Sequence, residues 1–233
     1  MIYVVSDIHG CYDQYIALLQ KIDLTSQDVL YVLGDVLDRG PAPIKVLQDM
    51  MKRSNVFTIL GNHDFVAAVC LKELSKQITE ESLDSLDKNI LGVISDWLSD
   101  GGAATLKEFR SLPLEDRADV MDYLGEFSLS EEINVAGKTY ILAHAGLGNF
   151  TPDKSLGDCS LEELAFGRTD YTKQLFDDKY LITGHTPTRL IPGNSKPDYI
   201  YRINNHIAID CGCVFGGRLG AICLDTGEEF YVE

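Results

Sequence analysis

The sequence predicts an α/β protein, with a parallel or mixed sheet backed by helices and a second sheet packed on the first. Three observations carry this. Short apolar runs alternate with helical periodicities through the first quarter of the chain. Closely spaced apolar runs, punctuated by turn residues, fill the C-terminal third. At 233 residues the chain suits one α/β domain, so 1–233 is read as a single domain with a helical insertion at 64–128.

Ile2–Val5 is the first strand. A polar turn follows, and then Tyr12, Tyr15, Ile16, Leu19 and Ile22 recur at spacings of three and four, as on one face of a helix. Val29–Leu33 is continuously apolar, as expected of a strand covered on both faces. Pro41 suits the first turn of a helix whose buried stripe is Ile44, Leu47, Met50 and Met51. Val56–Leu60 is the third strand, and strands separated by helices imply right-handed crossovers. Residues 64–128 are polar, acidic and helical in pattern. Within them Leu83, Leu86, Ile90 and Ile94 share a face, Trp97 and Leu98 follow, and Ser99-Asp100-Gly101-Gly102 breaks the run. The acidic stretch from Glu80-Glu81 to Asp87 reads as a solvated face. Strands resume at Thr139–Ala143, Tyr180–Ile182, His206–Ile209 and Ala221–Leu224, with turns at Gly137, Asn204-Asn205 and Thr226-Gly227.

Composition excludes several functions. Lys and Arg number 20 against 36 Asp and Glu, a net charge of −16 that repels nucleic-acid phosphates. No apolar run approaches the ~20 residues of a membrane span. No basic-then-apolar leader opens the chain. The six cysteines (11, 70, 159, 211, 213, 223) then read as free thiols of a reducing compartment. Cys211-Gly212-Cys213 lacks the second pair a zinc knuckle needs. The expectation is a cytoplasmic monomer with neither membrane nor nucleic-acid partners.

The polar residues are concentrated where strands end. Asp7-Ile8-His9-Gly10, Gly34-Asp35 through Gly40, Gly61-Asn62-His63-Asp64, His144-Ala145-Gly146 and Gly184-His185-Thr186 each follow an apolar run. Carboxyl ends of strands are where open α/β sheets bind ligands. Four of the five histidines lie in these turns, and His206, outside them, reads as strand-edge decoration. Carboxylates, an amide oxygen and imidazoles without thiolates suit Mn, Fe, Zn or Co. Their number fits two ions sharing a bridging carboxylate.

The series Asp7-x-His9, Gly34-Asp35-x-x-Asp38-Arg39-Gly40 and Gly61-Asn62-His63-Asp64, about 25 residues apart, resembles the calcineurin-like metallophosphoesterase superfamily. Asp38-Arg39-Gly40 is similar to the serine/threonine phosphoprotein phosphatases in their short bacterial and phage branch. His144-Ala145-Gly146, Gly184-His185-Thr186 and Val214–Leu219 match further stretches of that family. The resemblance implies two mixed sheets packed as a sandwich, flanked by helices. It implies that Asp7 and His9 hold the first ion, that Asp35 bridges, and that Asn62, His144 and His185 hold the second. Manganese is the ion expected in vitro, with iron, zinc, cobalt or nickel also accommodated.

On the same resemblance, Arg39 grips the substrate phosphate together with Asn62. Arg168, in Phe166-Gly167-Arg168, fits the family's second phosphate arginine, although a surface arginine without a role is the alternative. A metal-bridging hydroxide attacks phosphorus in line, and His63, oriented by Asp38, protonates the leaving oxygen. Ser99–Gly102 with Thr105-Leu106 resembles a Trp-containing Gly-Gly stretch of bacterial relatives that borders the site, and ending a helix is an equal reading. Cys211 lies where larger members carry a mobile loop, and a structural thiol is the simpler account.

The expected activity is phosphomonoester hydrolysis by a serine/threonine, or dual-specificity, protein phosphatase acting on phosphoproteins or small phosphoesters. The alternative is a symmetrical dinucleoside-polyphosphate (diadenosine tetraphosphate) hydrolase, a relative that often carries Ala where this chain has Asp38. Nucleases and cyclic-nucleotide phosphodiesterases usually lack the Asp-Arg-Gly ending. A non-catalytic scaffold would require a lost ligand, and none is lost.

Overall fold

The first strand, β1 (Ile2–Val5), lies at the centre of a five-stranded sheet in the computed structural model, which describes residues 1–76, 88–148, 150–151 and 154–233. Parallel to it run β2 (Val29–Val32) and then β3 (Val56–Thr58). On its other side β9 (Leu219–Cys223) and β10 (Glu229–Val232) complete the sheet antiparallel. Helices α1 (Tyr12–Lys21) and α2 (Pro43–Met50) make the β1–β2 and β2–β3 crossovers. Pro43, rather than Pro41, takes the first turn of α2, where its missing N–H costs nothing.

The second sheet runs β4 (Ser130–Val135), β5 (Lys138–Ala143), β6 (Lys179–Thr183), β8 (His206–Ala208) and β7 (Tyr201–Ile203). His206 therefore sits on an interior strand, buried, with Nε2 bonded to the Lys173 carbonyl at 2.8 Å; it is not edge decoration. Val4, Leu33, Ile59, Tyr140, Leu142, Ile182, Ile207 and Ile222 pack the two sheets together. A second core, with Leu18, Leu30, Leu47 and Leu71, joins the helices to the outer face of the first sheet.

The segment between the sheets is helical wherever it is described: α3 (Asn62–Leu74), α4 (Lys88–Trp97), a wide turn at Leu98–Gly102, α5 (Ala103–Ser111) and α6 (Leu114–Gly125). Leu83, Leu86 and the acidic stretch through Asp87 lie outside the described residues. Ile94 and Trp97 are buried in that second core, as the shared face requires. All six cysteines are free thiols. Among the described residues no helix is long and apolar enough to cross a membrane.

Candidate metal centre

Both sheets present their strand carboxyl ends to one place. The first supplies Asp7 and His9 after β1, Asp35 and Asp38 after β2, and Asn62 and His63 after β3. The second supplies His144 after β5 and His185 after β6. Asp7, His9, Asp35, Asp38, Arg39 and His185 all have φ between 44° and 68°. Such left-handed backbone at non-glycine residues costs of order 1 kcal/mol or more each, and it persists only where surrounding structure imposes it. Gly34 and Gly61 let the turns after β2 and β3 touch, since a Cβ on either would collide with the other turn's backbone.

Asp35 lies at the middle of the site. Its Oδ2 is 3.4 Å from His9 Nε2 and its Oδ1 is 3.4 Å from His144 Nε2. Donor atoms of His9, Asp35 and His63 lie within 4.8 Å of one another, as do those of Asp35, His144 and His185. Asn62 Oδ1 closes the second group, 3.1 Å from His144 Nε2 and 2.9 Å from His185 Nδ1. Asp7 joins neither group. Its carboxylate accepts the His185 backbone N–H at 3.2 and 3.0 Å and the Ser6 hydroxyl.

The hydrogen bonding leaves ligand atoms turned inward, as a bound cation would use. His9 Nδ1 and His144 Nδ1 donate to the carbonyls of Leu37 and Leu33, at 2.8 and 2.6 Å. Those carbonyls only accept, so a neutral ring turns its Nε2 lone pair inward toward Asp35, and that of His9 is met by the Arg39 guanidinium at 2.8 Å. Lone pairs and carboxylate facing one another need positive charge between them, which Arg39 and the His144 proton supply without metal. Burial pushes His9 and His185 down to about 4, which is the neutral, ligating form. Burial also opposes charge on His144, but Asp35 and Asp7 outweigh it and hold the imidazole at about 10. A proton there does the work that a divalent ion would do. The donor set fits two such ions, with Asp35 facing both groups.

The same shifts give a metal-dependent stability. Asp7 and Asp64 are raised to about 7, by burial first and Asp35 second. Raised carboxyls lose stability as pH climbs from about 4 to 7, while the depressed His9 and His185 gain it between about 4 and 6.5. Above pH 6.5 only losses remain, because the stability held by protonated His144 disappears as pH rises toward 10. The metal-free protein is therefore expected to melt several degrees lower at pH 8.5 than at pH 6.5. Manganese should raise the melting temperature more at the higher pH. Equal melting at both pH values, with no response to manganese in thermal scans, would rule out the centre.

On the opposite side of the site, Asp38 is fully buried and bonded at every position. Its Oδ2 accepts from His63 Nδ1 and Trp97 Nε1, both at 2.9 Å, and its Oδ1 accepts the Thr105 hydroxyl at 2.6 Å. That fixes the His63 ring with Nε2 toward the centre. Burial lowers His63, but the bond to Asp38 and the charge of Asp35 more than restore it, so its affinity for a proton is raised. Arg39 donates to His9 Nε2 at 2.8 Å and to Asp100 at 3.2 and 3.4 Å, and stands 5.3 Å over the Phe215 ring. Arg168 is exposed and faces the same cavity, a space of about 420 Å³ that Arg39, His185, Arg189 and Phe215 also line.

The structure thus brings Asp7, His9, Asp35, Asp38, Arg39, Asn62, His63, His144, Arg168 and His185 to one cleft. It gives roles to residues for which sequence reasoning assigned none, some of them in or beside the Ser99–Gly102 and Thr105 stretch read as bordering the site. Trp97 and Thr105 hold Asp38. Asp64 ties the turns together by accepting the Val36 and Leu37 N–H groups, each at 3.0 Å. Asp210, after β8, is buried beside Asp7, and burial followed by that repulsion holds it well above the ordinary carboxylate range. The one tryptophan in the chain, next to a Gly-Gly pair, was the available signal for Trp97.

Known proteins agree with this architecture. The family model for calcineurin-like phosphoesterases matches residues 1–197. A symmetrical bis(5'-nucleosyl)-tetraphosphatase of Enterobacter sp. is 26% identical over 230 residues, 97% of this chain and 71% of that protein. An asymmetrical bis(5'-nucleosyl)-tetraphosphatase of Halalkalibacterium halodurans is 26% identical over 245 residues, covering 94% and 88%. These relatives carry tetraphosphatase names, so they do not support the narrower placement among serine/threonine phosphatases. Among solved structures, a provisionally named diadenosine tetraphosphatase superposes with TM-score 0.67 at 23% identity, over 99% of this chain and 92% of that one. A cold-active protein-tyrosine phosphatase of a psychrophilic Shewanella gives 0.55 at 16%, over 100% and 80%. At such identities the solved structures speak to the fold alone. With most of its length matched by the family model, this chain belongs to the calcineurin-like phosphoesterases, metal-dependent hydrolases of phosphoester bonds.

Proposed function

We propose that the protein hydrolyses dinucleoside polyphosphates of the diadenosine tetraphosphate type. The observation that carries this reading is the row of arginines beside the donor set. Arg39, Arg168 and Arg189 line one cavity with Asn62 and His185. A single phosphomonoester engages one or two such groups, whereas a polyphosphate chain can engage all three. Similarity to tetraphosphatases along nearly the whole chain supports it.

In this reading Asp7, His9 and Asp35 would hold one divalent ion, and Asp35, Asn62, His144 and His185 the other. Bound there, the ions supply Lewis acidity and an acidified water. Arg39, kept in place by Asp100, and Arg168 bind phosphoryl oxygens and stabilise their charge as the bond breaks. His63 carries the proton on Nε2 for the departing oxygen, while Asp38 holds Nδ1–H.

The intact Asp38-Arg39-Gly40 stretch favours a second reading, protein phosphatase action on phosphoserine, phosphothreonine or phosphotyrosine. One manganese-loaded preparation separates the two. Its kcat/KM for diadenosine tetraphosphate should exceed that for phosphopeptides at least tenfold, and the reverse order would give the site to phosphoproteins. Inactivity toward both substrates with Mn, Ni, Co and Fe would return the non-catalytic scaffold.

A further inference from the structure

Asn62 and His63 stand between two cavities, and only one of them holds the arginines. The second, about 320 Å³, opens on the far side of His63. Val66 of α3, Val93 and Trp97 of α4, and Phe166 form its walls. Val93 and Trp97 are four residues apart and so lie on one face of α4. Phe166 is braced edge-to-face by Phe65, with ring centroids 6.0 Å apart. Val93 is 40% exposed, leaving apolar surface in water beside the reacting groups.

The rim has the opposite charge from the arginine side. Asp96 and Asp100 border this cavity, Asp100 paired with Arg39 at 3.2 Å, and no Lys or Arg is among its described lining residues. The carboxylates repel phosphate oxygens, so the depth of the cavity does not suit the phosphate chain, which stays at its mouth beside Arg39. Apolar and aromatic walls suit a flat ring, and carboxylates at the edge accept hydrogen bonds from ring and amino N–H groups. His63 Nε2 is 3.6 Å from Asp100 Oδ2, which Arg39 also reaches at 3.4 Å, so the proton donor stands at the boundary of the two cavities. A leaving oxygen protonated by His63 carries its own phosphates along that boundary, beside Arg39, and the base beyond them reaches this cavity.

We propose that the cavity between α3, α4 and Phe166 receives the nucleobase of the leaving nucleotide. The polyphosphate stays along Arg39, Arg168 and Arg189. The inference rests on the dinucleoside-polyphosphate reading and adds a subsite to it. A basic side chain of a phosphopeptide is the rival occupant, since it too would meet Asp96 and Asp100. It leaves the aromatic and apolar walls unused.

Val93→Trp fills the cavity from a half-exposed position on α4, and Asp96→Asn removes one rim charge without changing volume. Inorganic phosphate, which reaches the metal centre and nothing beyond it, reports an intact centre through its inhibition constant. Val93→Trp should lower kcat/KM for diadenosine tetraphosphate at least tenfold, and Asp96→Asn three- to tenfold. In both, phosphate inhibition should stay within twofold of wild type. If wild type cleaves diadenosine tetraphosphate and both variants cleave it equally well, the subsite is overturned while the functional reading stands. The subsite is also overturned if only phosphopeptides with a neighbouring Lys or Arg suffer. Wild type inert toward diadenosine tetraphosphate overturns the functional reading itself, and the nucleobase with it.

Discussion

Asp35→Asn is expected to remove metal binding and hydrolysis together. The carboxylate faces His9 with one oxygen and His144 with the other, and Oδ1 also accepts the His63 backbone N–H at 3.0 Å. Asparagine keeps the shape but loses the charge and offers an amino group to one of those partners. If Oδ1 remains the acceptor, that amino group confronts His9; if the amide flips, it confronts the His63 N–H. Neither orientation leaves a bridge. Loss of one electrostatic stabiliser in an active site commonly costs 10²–10³ in rate, so loss of a shared ligand should cost at least about a thousandfold. Metal content after dialysis, read alongside p-nitrophenyl phosphate turnover, checks this. A variant retaining two ions per chain and a tenth of its activity would remove Asp35 from the bridging position.

His63→Asn is expected to separate chemistry from metal binding. The ring's Nδ1 is committed to Asp38, and the second group of donors is complete without it. Metal content should therefore stay at the wild-type value. Turnover of an alkyl phosphoester should fall about 10²–10⁴-fold, the range for losing a general acid, because an alkoxide leaves poorly without a proton. A nucleoside diphosphate is a much weaker base and leaves more readily, so diadenosine tetraphosphate hydrolysis should fall less. Full activity on the alkyl ester would take the proton-donor role away from His63. Loss of metal along with activity would instead make it a ligand, consistent with its proximity to His9 and Asp35.

The strands that the sequence reveals are mostly interior ones. β1, β2, β5, β6, β8 and β9 are flanked by strands on both sides and read as apolar runs, as does the short edge strand β3. The unanticipated strands, β4, β7 and β10, all lie at sheet edges. There one side meets water and tolerates Glu131, Glu132, Arg202 and Glu229, so the apolar pattern dissolves. Asp38 illustrates the same limit at the site. Its partner His63 sits in a recognisable motif, but Trp97 and Thr105 come from 59 and 67 residues away, where no local spacing connects them.

By itself the sequence determined the chemistry and its order along the chain: carboxylates, an amide and imidazoles, each cluster just past an apolar run. Those features are local, because a strand and the turn that ends it are specified by adjacent residues. Only the tertiary structure decided that the ends of two separate sheets meet, that each oxygen of Asp35 faces a different histidine, and that His63 stands between an arginine-lined cavity and an acidic one. Those relations depend on the apolar packing between the sheets and on α4 folding back over α3, which couple residues far apart in the chain. The acidic surplus follows the same division. The count of −16 is legible at once, but the close approach of Asp7, Asp35 and Asp210, which suits bound cations, exists only in the folded chain.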